Sequence, residues 1–246
     1  HRSNFAVIGF TEEVEMEDIA SLAKAHGLPS VYDLGAGFLN NGVPGLTTIE
    51  GLVGETLLDD AIQSGADVVS FSGDKLFGGP QAGILAGNAG AIEDMRKNPL
   101  YRAMRLDKVG LAGLERTFEL YLEGRGDEIP ARALLRRKPA ELRQAAEQLF
   151  AQLKDQPIIQ ADGCSLEIVE ATSQPGSGSA PGVELETTCL QIRVSSDGGV
   201  TALAQRLRAA SPPVFVRTQD DAIWLDLRTL LPGDDKRLLA AFASLG

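Results

Sequence analysis

Alternating helix and strand signals over the first 90 residues limit most strongly what this chain can fold into. Apolar residues at helical spacing follow Thr11 and its two acidic neighbours, and they stop at Gly27. The strand-like stretch SVYDL comes next, and a second helix is predicted over about residues 54–64. DVVSFS then has the pattern of a buried strand, and AGILAG at residues 82–87 predicts another. This alternation predicts an α/β fold with a mixed or parallel sheet.

The remainder of the chain predicts more helices and then a small α+β unit. Asn88 and Asp107 each precede a helical pattern and are predicted as N-caps. The charged, turn-rich segment at residues 123–139 predicts a domain junction, which gives domains at 1–126 and 127–246. The second domain comprises a linker helix starting at Pro139, strands at SLEIVEA, TTCLQIRV, PVFVRT and AIWLDL, helices near 199–209 and 233–244, and a loop at 173–182.

Composition excludes several classes of protein. The 246 residues include no apolar run of membrane-spanning length, so no transmembrane helix is predicted. The net charge of −11 repels phosphodiester backbones, so contact with nucleic acid needs a local basic patch or another part of the protein. Cys164 and Cys189 form no disulfide framework, which indicates a reducing compartment and a cytoplasmic location. The absence of an initiator Met and a strand-like start near residue 5 lead us to expect that the front of the chain has been cut away.

Common cofactor and catalytic motifs do not match. Gly35 and Gly37 follow a strand, but Asn40 takes the third position of the dinucleotide fingerprint, so a Rossmann site is not predicted. No P-loop pattern is present. His1 and His26 are too few imidazoles for a zinc protease motif or a Ser-His-Asp triad, and no metal site is predicted.

An aspartate and a lysine at the ends of two predicted strands remain. Asp33 closes VYD, and Lys75 stands in SFSGDKLFGGPQAG. The carboxyl ends of strands in an open α/β sheet face one crevice. Pyridoxal phosphate (PLP) uses such a pair, because a lysine amine forms its Schiff base and a carboxylate keeps its ring nitrogen protonated. From these residues alone, a lysine that follows Gly-Asp is more often a solvated surface group.

Longer blocks of sequence resemble a known family. SGDKLFGGPQAGILAG followed by NPLYRAMRLDKVGLAGLE is similar to bacterial selenocysteine synthases, the L-seryl-tRNA(Sec) selenium transferases. The blocks HRSNFAVIGFTEEV, VYDLGAGFL, GSGSAPG and SPPVFVRTQDDAIWLDLRTL extend this resemblance along essentially the whole chain. Members of the family are considerably longer, so the resemblance implies that the chain is the carboxyl-terminal half.

The resemblance implies a fold and a reaction. The fold would be part of the large domain of a fold type I PLP-dependent transferase, followed by a small α+β domain. The enzyme would take seryl-tRNA(Sec), eliminate water to an aminoacrylyl intermediate and add selenium from selenophosphate. It would bind tRNA through the missing amino-terminal region and assemble as a homo-oligomer of dimers, with no membrane partner.

The resemblance also assigns roles to residues. Lys75 would form the Schiff base, Asp33 would face the pyridine nitrogen, and Ser72 would donate to the cofactor phosphate or else satisfy its own turn. Arg102 and Arg105 would hold the anionic selenium donor, since planar guanidinium groups bind phosphate oxygens in pairs. A surface basic cluster is the other interpretation of these arginines.

Weaker candidates and alternative functions stay open at this point. Ser3 and Asn4 would approach the ring, and Asp74 would either tune the lysine or cap its loop. A related PLP-dependent lyase acting on an amino-sugar phosphate would use the same Lys75 and the same arginines. A catalytically inactive fragment that lacks half of the cofactor site is the third possibility.

Overall fold

A computed structural model describes residues 7, 9–40, 45–161, 163–176, 178–195 and 198–245. Internal contacts divide the chain into two compact units. The first comprises His1–Arg136 with Gln174–Val183, and the second comprises Arg137–Ser173 with Glu184–Gly246. The domain limits 1–126 and 127–246 derived from sequence stay a prediction.

Among the described residues, the first unit is built on a mixed sheet of three strands, as the alternating pattern predicts. Its strands are β1 (Val31–Gly35), β2 (Val68–Ser72) and β3 (Gly83–Gly87), in the order β1-β2-β3. β1 and β2 are parallel, whereas β2 and β3 are antiparallel. The carboxyl ends of β1 and β2 therefore lie at the same end of the sheet, and the segments that follow them begin there.

The described part of this unit also contains six α-helices. They are α1 (Met16–Ala25), α2 (Leu58–Gln63), α3 (Ala89–Lys97), α4 (Pro99–Met104), α5 (Lys108–Leu122) and α6 (Pro130–Leu135). The predicted caps are confirmed: the Asn88 side chain accepts a hydrogen bond from the Ala91 amide, and that of Asp107 accepts one from the Gly110 amide, each at 2.8 Å. Each cap satisfies an amide that has no partner inside its helix.

Two predicted helix starts are wrong. The first helix begins at Met16 and not at Thr11, and Ala20 is its only buried residue. Val14 is 68% exposed, so the stretch before Met16 offers no apolar face for a helix to bury. The second helix begins at Leu58 and not near residue 54, because Leu57 forms a parallel bridge with Phe38 and its extended backbone precedes the helix.

The core of the first unit lies on one face of the sheet. Val69 and Phe71 of β2 project into it, while Ser70 and Ser72 lie on the opposite face because side chains alternate along a strand. The cluster also contains Leu34, Leu39, Leu58, Ala61, Phe77, Ala82, Leu114, Tyr121 and Ile129. The opposite face carries the half-buried Ser70 and Ser72, although Val68 at the start of β2 is buried there, so a site can form toward the end of the strand.

A second cluster in the same unit includes part of a distant loop. Ala180 is 3% exposed and packs with Phe38 and Leu76. Sequence places residues 173–182 in the small unit, but the contacts of 174–183 group these residues with the first unit. The reason is this apolar anchor, which has no local sequence signal.

The second unit is an α+β structure on a four-stranded antiparallel sheet. Its strands are β4 (Cys164–Ser173), β5 (Leu185–Val194), β6 (Arg217–Gln219) and β7 (Ala222–Asp226). They lie in the order β4-β5-β7-β6. Its helices are α7 (Pro139–Leu153), α8 (Pro157–Gln160), α9 (Gly199–Ala209) and α10 (Asp234–Ala243). The helix predicted from Pro139 is confirmed, and it buries Leu142, Ala146, Leu149 and Leu153. Within the described ranges, no helix of either unit has the length and hydrophobicity needed to cross a bilayer.

The strand predicted at PVFVRT is mostly wrong. Only Arg217–Gln219 pairs with β7. Pro213 has no amide hydrogen to donate, and the Val214 amide donates instead to the Leu207 carbonyl in α9 at 2.9 Å. Tertiary contact to a helix therefore replaces the first half of the strand.

Candidate functional site

Asp33 and Ser70 lie opposite each other on the open face of the mixed sheet. The register of β1 and β2 pairs these two residues, and the Ser70 hydroxyl donates a 2.9 Å hydrogen bond to Asp33 Oδ1. Asp33 is exposed. The register then shifts between Asp33 and Gly35, so regular pairing ends just beyond the carboxylate. This arrangement presents an oriented carboxylate at the edge of the sheet.

Ser72 extends the same polar face toward the end of β2. It lies two residues beyond Ser70, is half-buried and pairs with Gly83 of β3. A Cβ atom built on Gly83 meets nothing within 4 Å. A carboxylate, a hydroxyl and an open backbone surface on one face fit what PLP requires: a partner for its ring nitrogen, a donor for its phosphate and room for a planar ring.

Lys75 lies on a tight turn three residues beyond β2. The Gly78 amide donates to the Lys75 carbonyl at 2.9 Å, and the Gly79 amide donates to the Gly73 carbonyl at 2.7 Å. Gly78 has φ +78°, which favours glycine. The side chain of Lys75 is half-buried, and its amine has no ion pair or hydrogen bond with any residue that the structure describes. An amine on a fixed turn, with no partner in the described part of the chain, is suited to react with a carbonyl group.

The residues after Lys75 anchor the turn. Leu76 and Phe77 are 2% and 1% exposed, and they pack into different clusters of the first unit. The Tyr121 hydroxyl donates a 2.8 Å hydrogen bond to the Phe77 carbonyl, and the two rings lie 5.0 Å apart. Burial raises the pKa of Tyr121 to about 12, so the hydroxyl keeps its proton and remains a donor at neutral pH. The backbone beside Lys75 is thereby held on two sides.

A cleft of about 780 Å³ opens beside Asp33. Its described lining includes Tyr32, Glu55 and Pro181 but not Lys75. Burial raises the pKa of the Glu55 carboxyl. Asp33 therefore borders open space in which a ligand can lie against β1.

Arg102 and Arg105 lie at the end of α4. The Asn98 side chain starts this helix by accepting a hydrogen bond from the Leu100 amide at 3.0 Å. Arg102 is in the last turn and Arg105 directly follows the helix. Both are exposed, and neither makes an ion pair within the described part of the chain. No hydrogen bond or ion pair between described residues links either arginine to Asp33, Ser72 or Lys75.

The remaining candidate residues are only partly described by the structure. Asp74 is exposed beside Lys75. Ser3 and Asn4 lie outside the described residues. Ser70 was not singled out from sequence, although the two-residue period of VVSFS places it on the face of Ser72 and would have found it.

The sequence of this chain is similar to those of known proteins. A family model described as L-seryl-tRNA selenium transferase matches residues 1–231. L-seryl-tRNA(Sec) selenium transferase of Aquifex aeolicus is 42% identical over 241 residues, which are 97% of this chain and 50% of that protein. The protein of the same name from Moorella thermoacetica is 40% identical over 98% of this chain and 50% of its own length. The chain therefore spans about half the length of the curated relatives it matches.

A solved structure supports the fold. The structure titled D-glucosaminate-6-phosphate ammonia-lyase matches 95% of this chain and 53% of its own chain, with a TM-score of 0.50 at 21% identity. The predicted class, a fold type I α/β segment followed by a small α+β part, is confirmed at the level of the fold. Together with the family match over residues 1–231, these findings place the chain in the L-seryl-tRNA selenium transferase family.

Proposed function

We propose that this chain is the carboxyl-terminal half of an enzyme that converts seryl-tRNA(Sec) to selenocysteinyl-tRNA(Sec) with PLP and selenophosphate. The observation that carries the proposal is the position of Asp33 and of the Lys75 turn at one edge of two adjacent parallel strands. The family match over nearly the whole chain supports it. We also propose a cytoplasmic location, which the lack of a disulfide framework favours, and an oligomer built from dimers, which the resemblance implies.

Asp33 would hold a proton at the cofactor's ring nitrogen. PLP, when bound, supplies an electron sink for the carbon next to the substrate's amino group. A carboxylate beside the ring nitrogen favours its protonated form, and Ser70 orients that carboxylate through one of its two oxygens. Ser72, on the same face, would donate its hydroxyl proton to the phosphate group.

Lys75 would bind the cofactor and then move protons. Because its amine has no partner among the described residues, no ion pair has to break before it reacts. The same amine would act as the general base that takes the proton from the substrate's α-carbon. The anchored turn would keep the amine within reach of that proton.

Arg102 and Arg105 would hold selenophosphate. Their guanidinium groups stay charged at neutral pH and offer paired donors to phosphate oxygens. Neither group has to leave an ion pair with a described residue in order to bind an anion. The two positions match the arginine pair that the family resemblance assigns to the selenium donor.

Binding of tRNA would depend on the rest of the protein. This chain carries a net charge of −11, which opposes association with a polyanion. The relatives are twice as long, so ample protein remains to supply a basic surface. We propose that the amino-terminal region makes most of the tRNA contacts.

Replacement of Lys75 in the complete protein tests the cofactor assignment. Lys75→Ala should abolish both the visible absorbance of the lysine-bound cofactor and labelling by borohydride. Lys97→Ala is a matched control, because Lys97 is an exposed lysine paired with Glu93. Retention of the visible band and of activity by Lys75→Ala would reject the assignment.

Replacement of the arginines tests donor binding separately. Arg102→Ala and Arg105→Ala should raise the selenophosphate concentration needed for turnover and leave the cofactor spectrum intact. Arg96→Ala serves as a control, since Arg96 pairs with Glu93 at 3.5 Å. Wild-type dependence on selenophosphate in both variants would show that the arginines have another role.

The same preparations separate the alternative functions. Release of ammonia from an amino-sugar phosphate, without selenium transfer to seryl-tRNA, would identify the protein as a lyase. The isolated 246-residue chain can be titrated with PLP to test the third alternative. Failure of the chain alone to bind PLP, when the complete protein does, would show that it is an inactive part of the site.

A further inference from the structure

Arg132 is a charged residue in the interior of the first unit. It lies on α6 and is 0% exposed. A buried guanidinium is costly unless its donors are satisfied. Arg132 donates to the Leu39 carbonyl, to the Thr47 carbonyl at 2.9 Å and to Asp127 Oδ1 at 3.3 Å. The side chain therefore connects α6 to the segment that follows β1.

Asp127 completes this connection. Its second carboxylate oxygen accepts a hydrogen bond from the Thr47 amide at 3.1 Å. Burial opposes ionisation of Asp127, but hydrogen bonds from Thr47 and Arg132 outweigh burial and lower its pKa. Asp127 thus binds the backbone amide of Thr47, and its ion-pair partner Arg132 binds the Thr47 carbonyl. Arg132 also binds the Leu39 carbonyl.

The described parts of the segment held by Arg132, residues 38–40 and 45–49, pack against the residue next to Lys75. Phe38 and Ile49, on either side of the Arg132 contacts, are 0% and 2% exposed and share a buried cluster with Leu76. The segment is also braced internally, since the Ile49 amide donates to Asn40 Oδ1 at 3.2 Å. Movement of this segment would therefore displace Leu76.

The helix that carries Arg132 contacts the Lys75 turn directly. A Cβ atom built on Gly78 would lie 2.7 Å from Ile129 Cγ2 and 3.4 Å from Ala131 Cβ. Ile129 is 2% exposed and belongs to the cluster of Phe77. The start of α6 thus packs on the Lys75 turn, while Arg132, the residue after Ala131, donates to the segment after β1.

We propose that Arg132 is a positioning residue for Lys75: it joins the segment following the strand of Asp33 to the helix packed on the Lys75 turn. This inference rests on the proposed function, in which Asp33 and Lys75 act on one cofactor. The distance between Asp33 and Lys75 must match the size of the cofactor. A residue that joins the segment after β1 to the start of α6 therefore affects catalysis without touching the substrate. Lysine cannot replace arginine here, because its three donors share one nitrogen, whereas the contacts to Leu39, Thr47 and Asp127 use three different nitrogens of the guanidinium group.

Arg132→Lys in the complete protein is the test, because it keeps the charge and removes the fork of donors. We expect kcat to fall by about 100-fold, the loss typical of a reacting group misplaced by roughly 1 Å, with little change in the KM for selenophosphate. In protein freed of cofactor, the Gly78 and Gly79 amides should exchange with deuterium faster, because their hydrogen bonds close the Lys75 turn.

Leu153→Ala is the matched control for general destabilisation. Leu153 is fully buried in the core of the second unit, so its truncation lowers stability without a contact to the turn. This variant should keep the wild-type exchange of Gly78 and Gly79. If Arg132→Lys fails to fold, Asp127→Asn takes its place and should shift kcat and exchange in the same direction.

The outcomes separate this inference from the proposed function. If Lys75→Ala keeps the cofactor band, the cofactor assignment fails whatever Arg132 does. If Lys75 is confirmed but Arg132→Lys, or Asp127→Asn in its place, keeps wild-type kcat and wild-type exchange of the turn, the positioning role alone is wrong. Faster exchange near Leu39 and Thr47 with an unchanged turn would also overturn it.

Discussion

The Ser70 hydroxyl donates to Asp33 Oδ1 across two parallel strands, at 2.9 Å. Of the side-chain hydrogen bonds between described residues, this one fixes the direction of the carboxylate that we propose as the partner of the ring nitrogen. The carboxylate is otherwise exposed, so its orientation depends on a short hydroxyl side chain on the neighbouring strand.

Removal of this hydroxyl should weaken the site without abolishing it. Ser70→Ala removes one hydrogen bond but keeps the Asp33 charge, so we expect a loss of about 1 kcal/mol or less in PLP binding by the complete protein. Asp33→Asn removes the charge itself and should reduce turnover much further. PLP titration and steady-state rates measure both effects, with Ser21→Ala on α1 as control. An Asp33→Asn variant as active as wild type would remove Asp33 from the mechanism.

The Tyr121 hydroxyl should contribute measurably to stability. Tyr121→Phe leaves the buried Phe77 carbonyl without its 2.8 Å donor, which costs roughly 1–3 kcal/mol. Urea unfolding monitored by circular dichroism gives the change in the free energy of unfolding. Tyr101→Phe is the matched control, because Tyr101 is 47% exposed. Equal stabilities of the two variants would mean that the Phe77 carbonyl finds another donor.

Local signals in the sequence predicted the parts of the fold that depend on near neighbours. Asn88 and Asp107 were recognised as caps because a cap acts on amides three residues away. Pro139 marked a helix start for a similar reason, since its missing amide hydrogen costs nothing there.

Long-range contacts explain what the sequence did not predict. Arg132 bonds to Leu39, 93 positions away, and no pattern around Arg132 distinguishes it from a surface arginine. The anchoring of Ala180 in the first unit likewise depends on apolar residues far along the chain. Asp33 and Lys75 were found from their positions at the ends of predicted strands, and the resemblance assigned their roles, whereas the residues that hold them in place became visible only in three dimensions.

Gly78 should tolerate substitution poorly. Its φ of +78° disfavours any side chain, and an added Cβ would lie 2.7 Å from Ile129 Cγ2. Gly78→Ala should therefore destabilise the protein by about 1–3 kcal/mol and lower PLP binding, because the turn that presents Lys75 has to shift. Gly54→Ala is the control, since a Cβ atom there meets nothing within 4 Å. Thermal unfolding and PLP titration of the two variants test this, and wild-type behaviour of Gly78→Ala would contradict it.

Asp67 should make stability depend on pH in the acid range. The Ser30 amide and hydroxyl donate to Asp67 Oδ2 at 2.9 and 3.0 Å, and the Asn88 side chain donates to Oδ1 at 2.7 Å. These hydrogen bonds hold the pKa of Asp67 below its usual range, and the bond from the Ser30 amide has the largest effect. Because the folded pKa is the lower one, the stabilisation is fully present above the unfolded pKa of about 4 and is lost as pH falls through the folded value.

Asp67→Asn measures this contribution of the carboxylate. The difference in unfolding midpoint between wild type and Asp67→Asn should be largest at neutral pH and should shrink as pH falls below about 4, where the wild-type carboxylate becomes protonated. Ser30→Ala removes one of the donors and should reduce the pH dependence without eliminating it. Urea denaturation between neutral and acid pH provides the midpoints. A difference that stays constant over this range would show that the charge of Asp67 does not stabilise the fold.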